Sequence, residues 1–412
     1  MSSHRCIERS IARGAFVILA STFCTGVFAN PLVTGITPSS QGLVDGATAI
    51  ISGSGFGTKS PAAPYLWAPM TGGAVGTTPQ PSSLGQHTTF DADGGNSGVG
   101  FMQYSNAITA PDGVSTVAYG AFGTLGNTDT SNVKYFVTMA SNGFTWNDPG
   151  AHYYVYYKMW KNFSVENSQN LYGNPGVNYK SLRAWATSGT GPDFYLYPFN
   201  GGPGSGGAIE YPNGVEGWYA TPGPNGNNDS STQSVEGPTN QWFSQQIIWK
   251  SNSSYSTTTD GSLDWFVNGQ HVASLPMLAW PGGPTWYWDV GDTSKNMNFS
   301  TILHLYIQGV FENEPAFPWN GTAFAMADVY VDNSWSRVMI GNAPTWSGNT
   351  VTDIEIPTSW SDTSISVVLH NDSFPNFNGA YLYVVDSNGN VNANGYAICG
   401  SCPQPPTNLT AN

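Results

Sequence analysis

The chain has 412 residues, of which 40% are hydrophobic, 14% aromatic and only 9% charged. Its 12 basic and 26 acidic residues give a formal net charge of −14, and a chain with this balance repels phosphate backbones. Nucleic-acid binding is therefore excluded as an expected function. The 49 glycines and 28 prolines favour short strands joined by tight turns, and no long stretch shows the apolar period of a helix. The composition predicts an all-β protein that is long enough for two domains.

The first element in chain order, residues 1–29, has the features of a secretory signal peptide. Three arginines begin it, an apolar core runs over 14–26, and Ala29 offers a small residue at a cleavage site. The apolar core is shorter than the ~20 residues that span a bilayer. We expect a secreted protein, extracellular or on the cell surface, with the periplasm as the alternative, and no transmembrane segment.

The rest of the chain is predicted to form strands. Two are expected near the beginning, at about 32–37 and 47–53, and from Tyr65 the sequence changes to aromatic strands separated by polar, glycine-rich loops. Ten strands are predicted there, at 99–104, 115–120, 133–139, 152–160, 179–187, 193–198, 241–250, 263–268, 300–311 and 324–332. Because no helices alternate with these strands, an antiparallel β-sandwich is expected.

The two ends of the chain read like halves of one small β-domain. Residues 31–38 and 49–57 resemble the opening strands of an IPT/TIG domain, an immunoglobulin-like β-sandwich, and residues 360–368 and 381–389 resemble its closing strands. The resemblance implies a discontinuous IPT/TIG-like domain made of 31–64 and 341–398, with residues 65–340 inserted and 399–412 as a tail. Such an insertion costs little when the ends of the inserted domain lie close together.

The inserted segment resembles the concanavalin A-like lectin/glucanase jelly rolls. The resemblance rests on the aromatic strand 153–161, on 179–185, on the hairpin Asp260–Gly269 and on the closing strand Asp328–Asp332. It implies a jelly-roll sandwich that recognises an extracellular polysaccharide on its concave face. A structural or adhesive surface protein without catalysis is an alternative, and the sequence does not indicate an oligomeric state.

Aromatic residues on two strands are candidates for binding the polysaccharide, because aromatic rings stack on the apolar faces of sugars. Alternation along each strand places these candidates on shared faces. They are Tyr154, Tyr156, Lys158 and Trp160 on one strand, and Tyr195 and Tyr197 on another. Packing within a sheet is the alternative role for each aromatic residue.

Strand 300–311 suggests a second function, that of a polysaccharide lyase. Its segment Tyr306–Phe311 resembles the Tyr-Phe-Lys-x-Gly-x-Tyr strand of alginate-lyase-like families. The resemblance implies β-elimination from a uronate polymer, with His304 or Tyr306 as the base and Arg183 or Gln308 neutralising the carboxylate. A structural hydrogen bond is the alternative for His304, and an ion pair is the alternative for Arg183.

A glycoside hydrolase is less expected than a lyase. Retaining glucanases of this fold need closely spaced carboxylates, usually as Glu-x-Asp-x-x-Glu, and the chain lacks that spacing. Its nearest approach, Glu312 and Glu314, precedes Pro315 and is expected at a strand end.

Two further pairs of residues suggest a metal and a disulfide. Related sandwiches often bind Ca²⁺ through an aspartate of the last strand, so the resemblance implies a structural calcium at Asp328 and Asp332, with solvated carboxylates as the alternative. Cys399 and Cys402 are predicted to form a small-loop disulfide in an oxidising compartment.

Overall fold

The computed structural model describes most of both ends of the chain and separate strands of its middle. The described ranges are 30–86, 102–121, 137–140, 152–162, 182–186, 193–197, 208–211, 215–218, 237–250, 262–276, 302–307, 323–374 and 376–398.

Strands form nearly all the regular structure of these ranges. They are β1 (Leu32–Pro38), β2 (Thr48–Ser54), β3 (Leu66–Ala68), β4 (Gln103–Ser105), β5 (Val117–Ala121), β6 (Val137–Ala140), β7 (His152–Lys161), β8 (Leu182–Ala186), β9 (Asp193–Tyr197), β10 (Ala208–Tyr211), β11 (Val215–Trp218), β12 (Phe243–Lys250), β13 (Ser262–Val267), β14 (Gln270–Pro276), β15 (Ile302–Ile307), β16 (Ala323–Asp332), β17 (Arg337–Gly341), β18 (Thr352–Trp360), β19 (Ser364–Val368), β20 (Tyr381–Val385) and β21 (Tyr396–Ala397). A 3₁₀ turn covers Trp346–Gly348. No helix within these ranges has the length and hydropathy needed to cross a membrane.

The predicted all-β, antiparallel class is confirmed. The described ranges form three sheets, and the strand pairs within them run antiparallel. Each of the ten strands predicted between 99 and 332 overlaps a strand of the structure. The short strands β10 and β11 were not predicted, because four residues are too few to show an alternation. The seven-residue strand β14 was not predicted either.

The seven-stranded sheet joins the two ends of the chain. Its order is β1-β2-β19-β18-β17-β20-β21, so β2 pairs with β19 from far along the sequence. Its hydrophobic core includes Ile51, Val338, Ile365 and Leu382, each almost completely buried. Residues 31–64 and 341–398 therefore contribute strands to the same sheet, as expected. Their assignment to an IPT/TIG-like domain stays a prediction.

The eight-stranded sheet has the order β14-β13-β12-β7-β16-β5-β4, and β3 pairs with β16 beside β5. Its central strand β16 is buried along its entire length, and β7 is buried over most of its length. Both strands are accordingly rich in apolar and aromatic residues, but they also carry buried charged residues, among them Lys158 and Asp328. The six-stranded sheet has the order β11-β10-β9-β8-β15-β6.

The eight-stranded and seven-stranded sheets pack against each other through a shared hydrophobic cluster. Trp67, Tyr154, Tyr156 and Tyr330 of the eight-stranded sheet contact side chains of β17 and β18 there. Those side chains are Met339, Ile354 and Ile356. The hydroxyl of Tyr156 donates a hydrogen bond across the boundary to the carbonyl of Thr352, 2.5 Å away. The two sheets therefore share one core at this boundary.

Candidate functional site

Charged side chains are buried where the eight-stranded and seven-stranded sheets meet. Asp328 comes from β16, where the register shifts between Ala327 and Tyr330 and the φ angle of Asp328 is +56°. A bulge of this kind redirects a side chain that a regular strand would place elsewhere. The Asp328 carboxylate is completely buried.

Lys158 of β7 is the central cation of this buried cluster. Its Nζ lies 2.9 Å from Asp328 Oδ2, 2.6 Å from Asp353 Oδ1 and 3.7 Å from Asp372 Oδ2. Among the described residues, Nζ is not aligned for a hydrogen bond with any partner. The contacts are ion pairs, because attraction between charges depends on proximity more than on alignment.

His370 joins the same carboxylates from the segment that follows β19. Its Nε2 lies 2.6 Å from Asp328 Oδ1 and 3.5 Å from Asp372 Oδ1, and its Nδ1 lies 3.4 Å from Asp45 Oδ1. The imidazole ring also meets the Trp67 ring edge to face, with centroids 5.0 Å apart. Both ring nitrogens of His370 therefore face carboxylates.

The proton affinities in the cluster follow from burial and charge. Burial lowers the pKa of Lys158 and of His370, but Asp328 and the other nearby carboxylates raise both pKa values more, so each ends well above its usual value. Burial raises the pKa of Asp328, yet Lys158 and then His370 lower it further, so its net pKa is below normal. These shifts favour the charged forms of Lys158, His370 and Asp328.

Glu355, on β18, is the exception. Its Oε2 accepts a hydrogen bond from the backbone N–H of His370 at 2.9 Å, while Oε1 has no hydrogen-bond partner among the described residues. Burial raises the pKa of Glu355 well above its usual value, and the hydrogen bond from the His370 backbone only partly opposes this.

A cleft of about 620 Å³ opens beside the cluster. His370 and Asp372 lie at its wall together with Asp45, Trp67 and Asp112. Apolar residues such as Leu84 and Ile356 complete its wall, so the cleft has a mixed lining in which His370 and Asp372 are the part of the cluster that borders it.

Asp328, His370 and Asp372 could hold a metal ion. Each offers one ligand atom, and these atoms lie within 4.8 Å of one another. Asp328 was predicted from the sequence as a metal ligand, whereas His370 and Asp372 were not. The sequence offers one signal for these two ligands, the spacing His-x-Asp after a strand. That spacing is common in loops, so it does not by itself indicate a metal site.

Asp332, the second predicted calcium ligand, has other partners. Its Oδ2 lies 2.6 Å from Lys59 Nζ and accepts a hydrogen bond from the Tyr330 hydroxyl. Burial raises the pKa of Asp332 in spite of Lys59. The structure thus gives Asp332 a structural ion pair, and calcium binding stays a prediction.

The predicted sugar-binding face of β7 is covered in the structure. Tyr154 and Tyr156 are fully buried in the cluster between the sheets, and the Tyr154 hydroxyl donates to Gln246 Oε1 at 2.9 Å. Lys158 is held by carboxylates, and Trp160 packs beside Ala325 and neighbouring apolar residues. The rings of Tyr154 and Tyr156 are not exposed, so these two tyrosines pack within the fold, which was the alternative role given to them.

The six-stranded sheet brings the other candidates together by register. Tyr306 of β15 pairs with Arg183 of β8, and Arg183 pairs with Tyr195 of β9. Residues that pair directly across antiparallel strands lie on the same face, so these three positions form a row. His304 lies two residues from Tyr306 and pairs with Trp185, which places it on the same face. Tyr197, two residues from Tyr195, also shares that face.

Several predictions fall outside the described residues. They concern the signal peptide at 1–29, Gln308, the position of Glu312 and Glu314 at a strand end, and the disulfide between Cys399 and Cys402.

No protein-family model and no curated protein matches the chain. Among solved structures, the chain is similar to the binding domain of botulinum neurotoxin serotype D, with 11% identity, a TM-score of 0.33, and coverage of 66% of this chain and 48% of that domain. It is also similar to the marine PL-14 alginate lyase from Aplysia kurodai (9% identity, TM-score 0.30, 57% of this chain and 87% of that one). A third similar structure is the cellulose induced protein Cip1 (13% identity, TM-score 0.27, 60% and 90%). Similarities at this level do not assign an activity.

Proposed function

We propose that the protein is secreted and recognises a uronate-containing extracellular polysaccharide on one face of the six-stranded sheet. The observation that carries the proposal is the row of Tyr306, Arg183 and Tyr195 across three neighbouring strands. Cα atoms of directly paired residues are about 4.5–5.5 Å apart, so neighbouring positions in the row can serve one sugar or two successive sugars.

The residue types in the row suit such a ligand. A guanidinium group makes paired hydrogen bonds to a carboxylate, which matches the acidic group of a uronate. Tyrosine rings on either side offer apolar surfaces for sugar rings and hydroxyl groups for hydrogen bonds. A basic residue is also needed locally, because the chain as a whole has a net charge of −14 and repels acidic polymers at a distance.

A lyase is the second candidate, and the position of His304 favours it. His304 and Tyr306 share a face with Arg183, so a base and a carboxylate-neutralising group lie on adjacent strands. In β-elimination, the base removes the proton beside the carboxylate while the cation stabilises the charge that develops there. A structural protein that neither binds nor cleaves a glycan is the third alternative.

Retention of the full-length protein on gels containing alginate, polygalacturonate or neutral cellulose tests the proposal. R183Q is expected to weaken retention on the uronate gel about 10–100-fold, because a hydrogen-bonded ion pair contributes about 1.5–3 kcal/mol. R183K should retain part of the affinity, and Tyr381→Ala, in the seven-stranded sheet, serves as the control. Equal retention of the wild type and R183Q would overturn the proposal.

Tyr306→Phe separates binding from cleavage. It keeps the ring that stacks on a sugar but loses the hydroxyl that would act as a base. A binding protein should keep its retention with Y306F and lose it with Y306A. A lyase that uses Tyr306 should release unsaturated uronate ends in the wild type and stop releasing them in Y306F, while H304A tests the other base.

A further inference from the structure

We propose that Asp328, His370 and Asp372 bind a divalent first-row transition metal ion, such as Zn²⁺ or Mn²⁺, at the floor of the cleft between the eight-stranded and seven-stranded sheets. One ligand atom from each residue lies within 4.8 Å of the other two. This site lies on different sheets from the proposed polysaccharide face and does not depend on that function.

The donor set favours a transition metal over calcium. Calcium takes six to eight oxygen ligands, whereas imidazole nitrogen suits zinc, copper, iron and nickel, and carboxylates also suit manganese. Two carboxylates and one imidazole supply three ligands, and the adjoining cleft leaves room for water in the remaining positions.

The polar atoms of the three ligands that would not bind the ion also contact other side chains. Asp45 Oδ1 lies 3.4 Å from His370 Nδ1, the arrangement in which a carboxylate orients a metal-binding histidine. Lys158 Nζ lies 2.9 Å from Asp328 Oδ2 and 3.7 Å from Asp372 Oδ2, so it anchors the outer oxygens of both carboxylates. Each ligand therefore has a partner that fixes its orientation toward a common point.

Asp372 is the most loosely held of the three ligands. Its side chain is about 95% buried, yet its contacts are long: Oδ1 lies 3.5 Å from His370 Nε2, and Oδ2 lies 3.7 Å from Lys158 Nζ and makes no hydrogen bond within the described residues. Buried carboxylate oxygens are nearly always hydrogen-bonded or bound to an ion. The charges agree, because the carboxylates of Asp45, Asp328, Asp353 and Asp372 surround the Lys158 ammonium group and the His370 ring, whose protonated form they favour. A divalent cation that displaces the proton of His370 Nε2 would reduce the remaining excess of negative charge.

The site would also join two parts of the fold. Asp328 belongs to β16 of the eight-stranded sheet, while His370 and Asp372 follow β19 of the seven-stranded sheet. An ion bound by all three should therefore stabilise the packing of the two sheets. Stabilisation should rise with the metal concentration, because an ion that binds only the folded state shifts the unfolding equilibrium.

Calorimetric titration of the full-length, chelator-treated protein with Zn²⁺, Mn²⁺ and Ca²⁺ tests the proposal, together with thermal unfolding at each metal concentration. We expect saturable binding of one ion per chain, tighter for Zn²⁺ or Mn²⁺ than for Ca²⁺, with a rise in melting temperature. H370Q and D372N should each lower the affinity by at least about 10–100-fold, the range seen for residues around metal sites.

Two kinds of variant keep the test decisive. Asp45→Asn changes a largely exposed carboxylate that contacts His370, so it should fold normally and still weaken metal binding. His271→Gln, at an exposed histidine of β14, and Asp332→Asn, at a buried carboxylate of β16, should leave the metal affinity unchanged. Absence of saturable binding, equal binding by wild type and H370Q, or a preference for Ca²⁺ would each overturn the proposal. Retention on uronate gels should be the same with and without chelator.

Discussion

Single residues of the cluster show where sequence reasoning stops. Alternation along β7 predicts that Tyr154, Tyr156 and Lys158 share a face, and the contacts that Tyr156 and Lys158 make with residues of β18 agree with this. Alternation does not show what covers that face, because Thr352, the partner of Tyr156, lies 196 residues away. The sequence therefore suggests that Lys158 binds a ligand, whereas in the structure Lys158 is a buried ion-pair partner.

Replacing Lys158 by methionine is expected to destabilise the protein by about 3–5 kcal/mol. The substitution keeps the volume but leaves the carboxylates of Asp328 and Asp353 buried without their cation, and breaking a buried ion pair costs this much. Urea unfolding of the full-length protein measures the loss. Lys250→Met on the neighbouring strand β12 is the control, with an expected loss below about 1 kcal/mol. Equal losses in the two variants would contradict the prediction.

At the scale of secondary-structure elements, the strands and turns could be predicted best from the sequence. The sequence Asn268-Gly269 between two alternating segments indicates a hairpin, and β13 and β14 pair around it with φ angles of +50° and +71° at these two residues. Two positive φ values are what a type I′ turn requires, and asparagine followed by glycine meets that requirement. By contrast, the bulge at Asp328 has no such local signature, because it depends on the strands that pair with β16 on both sides.

Gly269→Ala is expected to destabilise the protein by about 1–3 kcal/mol, because a side chain is disfavoured at positive φ. A Cβ atom at this position would also lie 2.9 Å from the backbone oxygen of Asn349, in the connection between β17 and β18. Gly42→Ala is the matched control, since its φ is +82° but no atom lies within 4 Å of the added Cβ. The loss measured by urea unfolding should be larger for G269A. A smaller loss for G269A than for G42A would mean that the contact with Asn349 is not significant.

At the scale of the whole molecule, His152 connects the eight-stranded sheet with the turn that follows β20. Its ring stacks on Trp335 with centroids 4.1 Å apart, and its Nδ1 lies 3.0 Å from the carbonyl oxygen of Ser387. Burial, with a smaller contribution from Lys250, lowers the pKa of His152 below its usual 6.5, although the hydrogen bond to Ser387 opposes this. The folded protein therefore favours the neutral imidazole.

This shift predicts a pH-dependent contribution to stability. The unfolded chain takes up a proton at His152 near pH 6.5, whereas the folded chain does so at lower pH, so stability from this residue is present above pH 6.5 and falls as the pH drops. His152→Gln removes the titrating group and keeps a donor for Ser387. The difference in unfolding free energy between wild type and H152Q should fall as the pH is lowered from about 7 to about 5. A difference that stays constant over this range would contradict the prediction.

The arrangement of the three sheets could be predicted in part. The resemblance of the two chain ends to the opening and closing strands of one domain indicated that they belong together, and β1 and β2 do share a sheet with β17–β21. The burial of β7 under that sheet was not predicted, because aromatic strands look alike whether a ligand or another part of the chain covers them. Register in the six-stranded sheet places Arg183 beside Tyr306, a pairing that neither strand reveals by itself.

The pairing of β2 with β19 has a consequence for biosynthesis. The ribosome completes β1 and β2 long before β19 exists, and at the usual rate of elongation the delay is on the order of tens of seconds. During that interval the first two strands have each other as sheet partners, and an isolated two-stranded hairpin is marginally stable in water. Ile51 and its apolar neighbours remain exposed for that time, so translation arrested before β19 should yield an aggregation-prone product that depends on chaperones.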